Sequence, residues 1–163
     1  MTGVYVRILV IVLVVLVVHF SRSNYWLRHS GSQAQTPFDN DFFSSMTVRT
    51  IGVALCVCGV ALAVWARTHL GRNWGMPMSF KENPELVTTG PYVYIRNPIY
   101  TGFLLAILGS SLTGGPIWLI FFVVFSAYFT YCAKKEEKIM TQEFPDTYPD
   151  YKRRTRMLIP FVV

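Results

Sequence analysis

The chain has 163 residues, of which 52% are hydrophobic and only 15% are charged, whereas a soluble domain usually carries about a quarter charged residues. This composition favours a membrane protein over a soluble enzyme, and the length leaves room for a single domain over residues 1–163. The net charge of +6 comes from Lys and Arg that flank apolar segments, where anionic headgroups attract them, so we expect no nucleic-acid binding.

Four apolar blocks follow one another along the chain. The first, Val4–Phe20, is predicted to be a retained span rather than a signal peptide, because no small-x-small cleavage pattern follows it cleanly. The second, Thr47–Ala66, is long enough to cross a hydrocarbon core of roughly 30 Å at about 1.5 Å per residue. The third and fourth, Ile99–Leu112 and Pro116–Cys132, are separated by a Thr-Gly-Gly turn and predict a hairpin that either spans or re-enters the membrane.

These blocks predict an all-α fold, an integral membrane bundle of about four transmembrane helices with a helical hairpin near the C-terminus and a helical tail. Eleven Lys and Arg residues lie in the connection after the second block and in the tail, against three in and around the connection before it. We therefore expect a multi-pass protein whose motif-bearing face and tail lie in the cytosol. The cysteines in the apolar blocks are expected to be packed thiols, and no metal site is predicted.

A polar segment, Glu82–Gly102, stands directly before the third block. Its two prolines prevent one continuous regular helix, and irregular backbone at membrane depth persists only where protein or a water-filled cavity covers it. Arg96 lies three residues before the block, where an unpaired cation is unfavourable. Its position leaves three alternatives open: snorkelling to headgroups, pairing with a ligand carboxylate, or pairing with Glu136 or Glu137.

The two adjacent glutamates follow the fourth block, within the charged run Lys134–Lys138. On a helix that continues out of the bilayer, Glu136 and Glu137 lie about 100° apart, so that one can face a site while the other is solvated. The alternative is a solvated helix end with local charge pairing. The last segments, Tyr148–Arg154 and Met157–Pro160, predict a basic, aromatic tail that lies on the membrane interface.

Two motifs in the polar segment, L-V-T-T-G-P-Y from Leu86 and R-N-P-I-Y-T-G from Arg96, resemble the isoprenylcysteine carboxyl methyltransferase family and its phospholipid methyltransferase relatives. The family pattern there is LVTxGPYxxxRHPxYxG, followed by a pair of glutamates, an aromatic run with Arg and a closing Leu-x-Pro. This chain has the same elements in order, up to L-I-P from Leu158. It departs from the pattern at Asn97, where the family has His, and at Pro84, where many members have His.

The resemblance implies that S-adenosylmethionine binds in a cytosol-facing pocket formed by the final helices and the tail. The residues that it assigns to the cofactor are Leu86, Val87, Gly90, Tyr92, Arg96, Asn97, Tyr100, Glu136 and Glu137. The candidate catalytic residues are Arg96 and Glu137. Chemically, an arginine could hold the cofactor carboxylate in a fork and a glutamate could accept from its ammonium and ribose. Three tyrosines, including Tyr94, could form walls for the adenine.

The implied function is methyl transfer to a lipophilic acceptor in the membrane, which enters sideways because its tail does not readily leave the bilayer. The α-carboxylate of an isoprenylated cysteine is the first choice, because a carboxylate needs no base at neutral pH. A phosphatidylethanolamine-type amine is the alternative and must first lose a proton. Because Asn97 cannot titrate, it favours the carboxylate. A nicotinamide-dependent membrane reductase of related architecture is less favoured, since it needs a larger pocket and more spans.

Overall fold

The structure, a computed structural model, describes residues 45–71, 85–114 and 117–158. In these ranges it contains α1 (Met46–Leu70), α2 (Pro98–Gly114), α3 (Ile117–Glu143) and α4 (Tyr148–Arg154), with a 3-10 helix at Gly90–Val93. No strand occurs among the described residues, apart from an isolated bridge described below. The prediction of an all-α fold is therefore confirmed for them.

Helix α1 contains the second apolar block and extends it at both ends to 25 residues. Among the described residues it is the helix that is both long and apolar enough to cross a membrane, and α2 is a shorter apolar helix. The large apolar side chains exposed along α1 are Met46, Ile51, Val53, Val57 and Trp65. The first block, Val4–Phe20, and the junction at 115–116 lie outside the described residues, so the number of spans stays a prediction.

Helix α3 carries the fourth apolar block on through both glutamates without a break, as the sequence predicted. Its exposed large apolar residues are Leu119, Ile120, Phe121, Val123, Val124, Phe125, Tyr128 and Tyr131. An apolar surface of this extent is typical of contact with lipid or with a protein partner. After Tyr131 the exposed residues of α3 are mainly polar or charged.

The chain divides into two compact units, and α1, α2 and α3 each contribute to both. In the first unit, residues 45–60 pack on the part of α2 after Leu105 through a pair of glycines. A Cβ added to Gly52 would lie 2.7 Å from the carbonyl oxygen of Gly109, so only glycine permits this approach. Nearby, the buried Cys56 Sγ lies 4.0 Å from Ser110 Oγ.

The second unit contains the described residues 61–71, 85–104 and 123–158. One apolar cluster there joins Ala66 of α1 to Tyr92 and Ile99, and a second joins Ala133 of α3 to Met157 of the tail. The tail is therefore packed into the unit, and its position at the membrane interface stays a prediction. Of the cysteines, Cys56 and Cys132 are buried as predicted, but Cys58 is exposed.

Candidate functional site

The G-P-Y motif forms the tight turn at the start of the 3-10 helix. Gly90 has a φ of +61°, a left-handed conformation that glycine adopts without a steric penalty. A Cβ at this position would also lie 2.6 Å from His69 Nε2 at the end of α1. Pro91 follows at the helix start, and the turn places Tyr92 in the cluster with Ala66 and Ile99. The glycine and proline thus bring the motif against α1.

Arg96 is held by a buried carboxylate and by the tail. Its Nε and Nη2 both lie 2.6 Å from Glu137 Oε1, and the two side chains are only 9% and 10% exposed. Its Nη1 donates to the carbonyl oxygens of Lys152, at 3.0 Å, and Thr155. The sequence left open whether Arg96 contacts headgroups, a ligand or a glutamate, and in the structure it pairs with Glu137.

A second cation completes this cluster. Lys152 Nζ lies 2.7 Å from Glu137 Oε2, so that the carboxylate is bound through both oxygens. The Lys152 side chain is 50% exposed and lies at the edge of the cluster. Glu137 on α3 therefore binds one residue of the R-N-P motif and one residue of the tail, and links these two distant segments of the chain.

The backbone of the tail pairs with the same motif. The amide of Arg96 donates to the carbonyl of Arg156 at 2.7 Å, and the amide of Arg156 donates to Tyr94 at 3.0 Å. The backbone N–H and the side-chain amide of Asn97 both donate to the carbonyl of Met157, at 3.2 and 3.1 Å. Asn97 therefore anchors the tail through hydrogen bonds. This role needs no change of protonation, which an asparagine side chain cannot undergo.

Tyr151 of α4 fastens the tail to the G-P-Y turn. The buried Tyr151 hydroxyl donates to the carbonyl of Tyr92 at 2.8 Å, and Tyr148 is buried beside it. Burial raises the pKa of Tyr151 to about 12, against an opposing effect of the Arg96 charge. Burial also raises the pKa of Tyr92 and of Tyr148. All three hydroxyls are therefore neutral hydrogen-bonding groups at ordinary pH.

The other glutamate faces a different set of side chains. Tyr100 donates its hydroxyl to Glu136 Oε1 at 2.7 Å, and its ring stacks on Phe129 at a centroid distance of 5.0 Å. After burial and the neighbouring Tyr151, the charge of Glu136 is a further cause of the raised pKa of Tyr92. Both glutamates therefore contact protein groups, and neither is the solvated partner that helix geometry allowed.

The predicted cofactor residues do not all come together. Val87 packs against the cluster around Tyr92, and Leu86 is partly buried. Tyr94 is 65% exposed, so it does not form a common wall with Tyr92 and Tyr100 as the sequence suggested. Pro84 lies outside the described residues.

The partners that the tail supplies could not be predicted from the sequence. The basic tail was recognisable, but no pattern pointed to Lys152 or Thr155, which bind Glu137 and Arg96. The available signal was Arg96 itself, because a cation at the start of an apolar block requires acceptors. Carbonyl oxygens at the end of a short helix such as α4 are available for that role.

An open cleft of roughly 460 Å³ lies beside the ion cluster, within the size range of small-molecule sites. The residues that line it are Arg96, Lys134, Glu137, Lys138, Thr141, Lys152 and Met157. All of them belong to the second unit. Four cations and one carboxylate line the cleft, which is therefore strongly positive.

Comparison with known proteins matches residues 47–147 to a family described as phospholipid methyltransferase. The chain is 30% identical over 127 residues to the protein-S-isoprenylcysteine O-methyltransferase of Schizosaccharomyces pombe, which covers 76% of this chain and 53% of that protein. It is also 30% identical over 124 residues to the nickel-cobalt-cadmium resistance protein NccN of Alcaligenes xylosoxydans xylosoxydans, with 74% and 54% covered. The chain spans about half the length of these relatives.

A solved structure has a similar fold. The eukaryotic intramembrane Ras methyltransferase, isoprenylcysteine carboxyl methyltransferase, aligns with a TM-score of 0.67 at 20% identity, over 90% of this chain and 52% of that one. The helical architecture predicted from the apolar blocks is thus that of a known membrane protein. The predicted single domain, span count and cytosolic side stay predictions.

Proposed function

Because the chain belongs to the phospholipid methyltransferase family, we propose that it transfers a methyl group from S-adenosylmethionine to a lipophilic acceptor in the membrane. The resemblance that its motifs suggested is confirmed by this membership. The observation that carries the proposal is that three separated motifs meet in one unit. The segment Leu86–Gly102, the two glutamates and the tail are joined by direct hydrogen bonds.

The proposed place for the cofactor is the side of α3 that bears Glu136. The cofactor carries a sulfonium and an ammonium, and a carboxylate beside aromatic rings attracts such cations. Glu136 already binds the Tyr100 hydroxyl, and its charge contributes to the raised pKa of the buried Tyr92. These residue types fit the cationic and ribose parts of the cofactor. The positive cleft on the other side of α3 fits them poorly, because four of its lining residues are cations.

Arg96 and Glu137 are proposed to act by positioning. Arginine has five N–H groups, and four of those of Arg96 already donate to Glu137 and to carbonyls of the tail. A fork to the cofactor carboxylate, the role suggested for Arg96 by its chemistry, does not fit this arrangement. The ion pair instead holds the R-N-P motif, α3 and the tail in one fixed geometry. Removing either residue would free the R-N-P motif to move. The proposed cofactor site beside Glu136 would then be less rigid, because Tyr100 of the same motif binds Glu136.

Methyl transfer requires little further chemistry from the protein. When bound, S-adenosylmethionine supplies a methyl group on a sulfonium that is already a good leaving group. The protein then has to align the acceptor with that methyl group and exclude water. The packed tail, with Tyr151 bonded to the G-P-Y turn, is suited to closing the site against water.

For the acceptor, we propose the α-carboxylate of an isoprenylated cysteine. Two observations support it: relatives carry that activity in their names, and Asn97, which binds the tail, cannot act as a base. A phosphatidylethanolamine-type amine is the second candidate, favoured by the family description. We further propose that the site faces the cytosol, in accordance with the basic residues around it.

The cofactor is tested by thermal unfolding of the detergent-solubilised protein. S-adenosylhomocysteine should raise the unfolding midpoint by mass action, and a reduced nicotinamide dinucleotide should not. Tyr100→Phe removes only the hydroxyl bound to Glu136 and should reduce the shift, whereas the exposed Tyr94→Phe serves as the matched control. A shift with the dinucleotide alone would overturn the methyltransferase proposal.

The acceptor is tested with methyl-labelled cofactor and two substrates in the same micelles, a farnesylated cysteine and phosphatidylethanolamine. Transfer to a carboxylate gives a methyl ester, which mild alkali hydrolyses to volatile methanol, whereas an N-methyl group is stable to alkali. Alkali-labile label on the farnesylated cysteine is the expected result. Alkali-stable label on the phospholipid would replace the first candidate by the second.

A further inference from the structure

The cleft beside the ion cluster has positive charges that have no carboxylate partner among the residues that the structure describes. Arg96 and Lys152 share Glu137, the one carboxylate in the lining. Lys134 and Lys138 are exposed, and neither forms an ion pair with any residue in the described ranges. The lining thus offers two ammonium groups to a ligand, in an open cleft of roughly 460 Å³.

The two lysines form a row on one face of α3. Lys134, Lys138 and Thr141 are spaced by four and three residues, which places them one above another along the helix. Lys135 is turned about 100° away by the helical repeat, and its Nζ lies 5.2 Å from the centre of the Tyr131 ring. The row therefore belongs to the cleft, whereas the neighbouring lysine does not.

The position of this row along α3 indicates what lies beside it in a membrane. The exposed apolar face ends with Tyr128 and Tyr131, and exposed tyrosines are typical of the membrane–water interface. Lys134 and Lys138 follow Tyr131 by about 4.5 and 10.5 Å at 1.5 Å per residue. The headgroup region on each side of a bilayer is roughly 5–8 Å thick. The two ammonium groups thus bracket the layer in which lipid phosphates lie.

We propose that this cleft binds the headgroup of an anionic phospholipid, with the phosphate between Lys134 and Lys138. A headgroup of net negative charge such as phosphatidylglycerol suits the cleft, because the choline of a zwitterionic lipid would be repelled by the same cations. The proposal depends on α3 entering the membrane but not on methyl transfer, and it concerns the opposite side of α3 from Glu136.

The test uses the full chain in detergent with short-chain lipids of equal tail length. Dioctanoyl-phosphatidylglycerol should raise the unfolding midpoint more than dioctanoyl-phosphatidylcholine. The variant K134Q/K138Q should lose this difference, because two lysines near a headgroup change affinity by about 30-fold. The control K135Q/R153Q removes two charges from exposed residues outside the cleft lining and should retain it. Glycerol 3-phosphate at the same concentration should give no comparable shift.

Three results would overturn the proposal. They are equal shifts with both lipids, an unchanged lipid preference in K134Q/K138Q, and a shift with glycerol 3-phosphate as large as that with phosphatidylglycerol, which would indicate a site for free phosphates. If the double variant has a lower midpoint before lipid is added, K134Q and K138Q are compared singly by the same criterion. No cofactor is present in these measurements, so their outcome is independent of the methyl-transfer assays.

Discussion

The ion pair between Arg96 and Glu137 gives the strongest prediction for stability. Glu137→Gln keeps the shape of the side chain but removes its charge. Arg96 is only 9% exposed and, in the described part of the chain, its only carboxylate partner is Glu137. Removing one partner of a buried pair costs about 3–5 kcal/mol, since the other charge stays buried without compensation. Lys152 is half exposed and can turn to solvent, and a glutamine can still accept one hydrogen bond. We therefore expect Glu137→Gln to lose about 3 kcal/mol of unfolding free energy, the lower end of this range.

The matched control is an ion pair of the same chemistry on the surface. Asp150 and Arg153 pair on α4 with side chains that are 57% and 77% exposed. Asp150→Asn should therefore cost less than about 1 kcal/mol, because water replaces the lost contact. The comparison separates the effect of a buried charge from the general effect of removing a carboxylate.

Both variants are measured by denaturant titration in detergent micelles, with a thiol-reactive dye as the probe. Cys56 and Cys132 are both buried in the protein and become reactive when it unfolds. Limited trypsin digestion reports the tail, where Glu137→Gln should increase cleavage after Lys152. If Glu137→Gln loses no more stability than Asp150→Asn and its tail is equally protected from trypsin, the ion pair does not hold the tail.

The remaining predictions concern backbone strain, pH and orientation. Gly90→Ala should lose about 3 kcal/mol of unfolding free energy, since its Cβ would clash with the His69 ring in addition to the strain of a positive φ. Gly71→Ala, at a φ of +52° and with no described atom within 4 Å of the added Cβ, should lose only about 1–2 kcal/mol by the same titration. The raised pKa of Tyr151, about 12 against an ordinary value of 10.0, means that the folded state holds its proton more tightly. The contribution of Tyr151 to stability should therefore be constant up to about pH 10 and fall above it. Tyr151→Phe should reduce the fall in a series of unfolding midpoints between pH 8 and 11.5, and an equal fall in the variant would contradict this assignment. A cysteine placed at Lys135 should react with a membrane-impermeant maleimide only from the cytosolic side, and labelling from the other side alone would reverse the proposed orientation.

The helices and their order were predictable because each depends on neighbouring residues. The apolar runs predicted α1, α2 and α3, and the charged run after Cys132 did not prevent α3 from continuing to Glu143. The family followed from short motifs whose order and spacing are visible in the chain. The prolines predicted an irregular segment before α2, and the structure has the 3-10 helix there.

The partners in the site depended on contacts between distant residues, which the sequence could not decide. Helix geometry placed Glu136 and Glu137 on adjacent faces but left open which of them faces the protein. The structure engages both, one with Tyr100 and the other with Arg96, 36 and 41 residues away in sequence. Tyr94 is an example of the opposite outcome. It is a tyrosine in the same segment, but it is exposed and lies apart from the predicted cofactor residues Tyr92 and Tyr100.

The sequence by itself determined the helical class, the basic face and the segments that carry the chemistry, because hydropathy, charge and turn residues act locally. Only the tertiary structure decided that the tail packs against the R-N-P motif through Thr155 and Met157. Those contacts use main-chain carbonyl oxygens, which every residue possesses, so they cannot be predicted from the residue type. Their positions depend on how α4 packs against the G-P-Y turn, and that packing is a property of the whole unit.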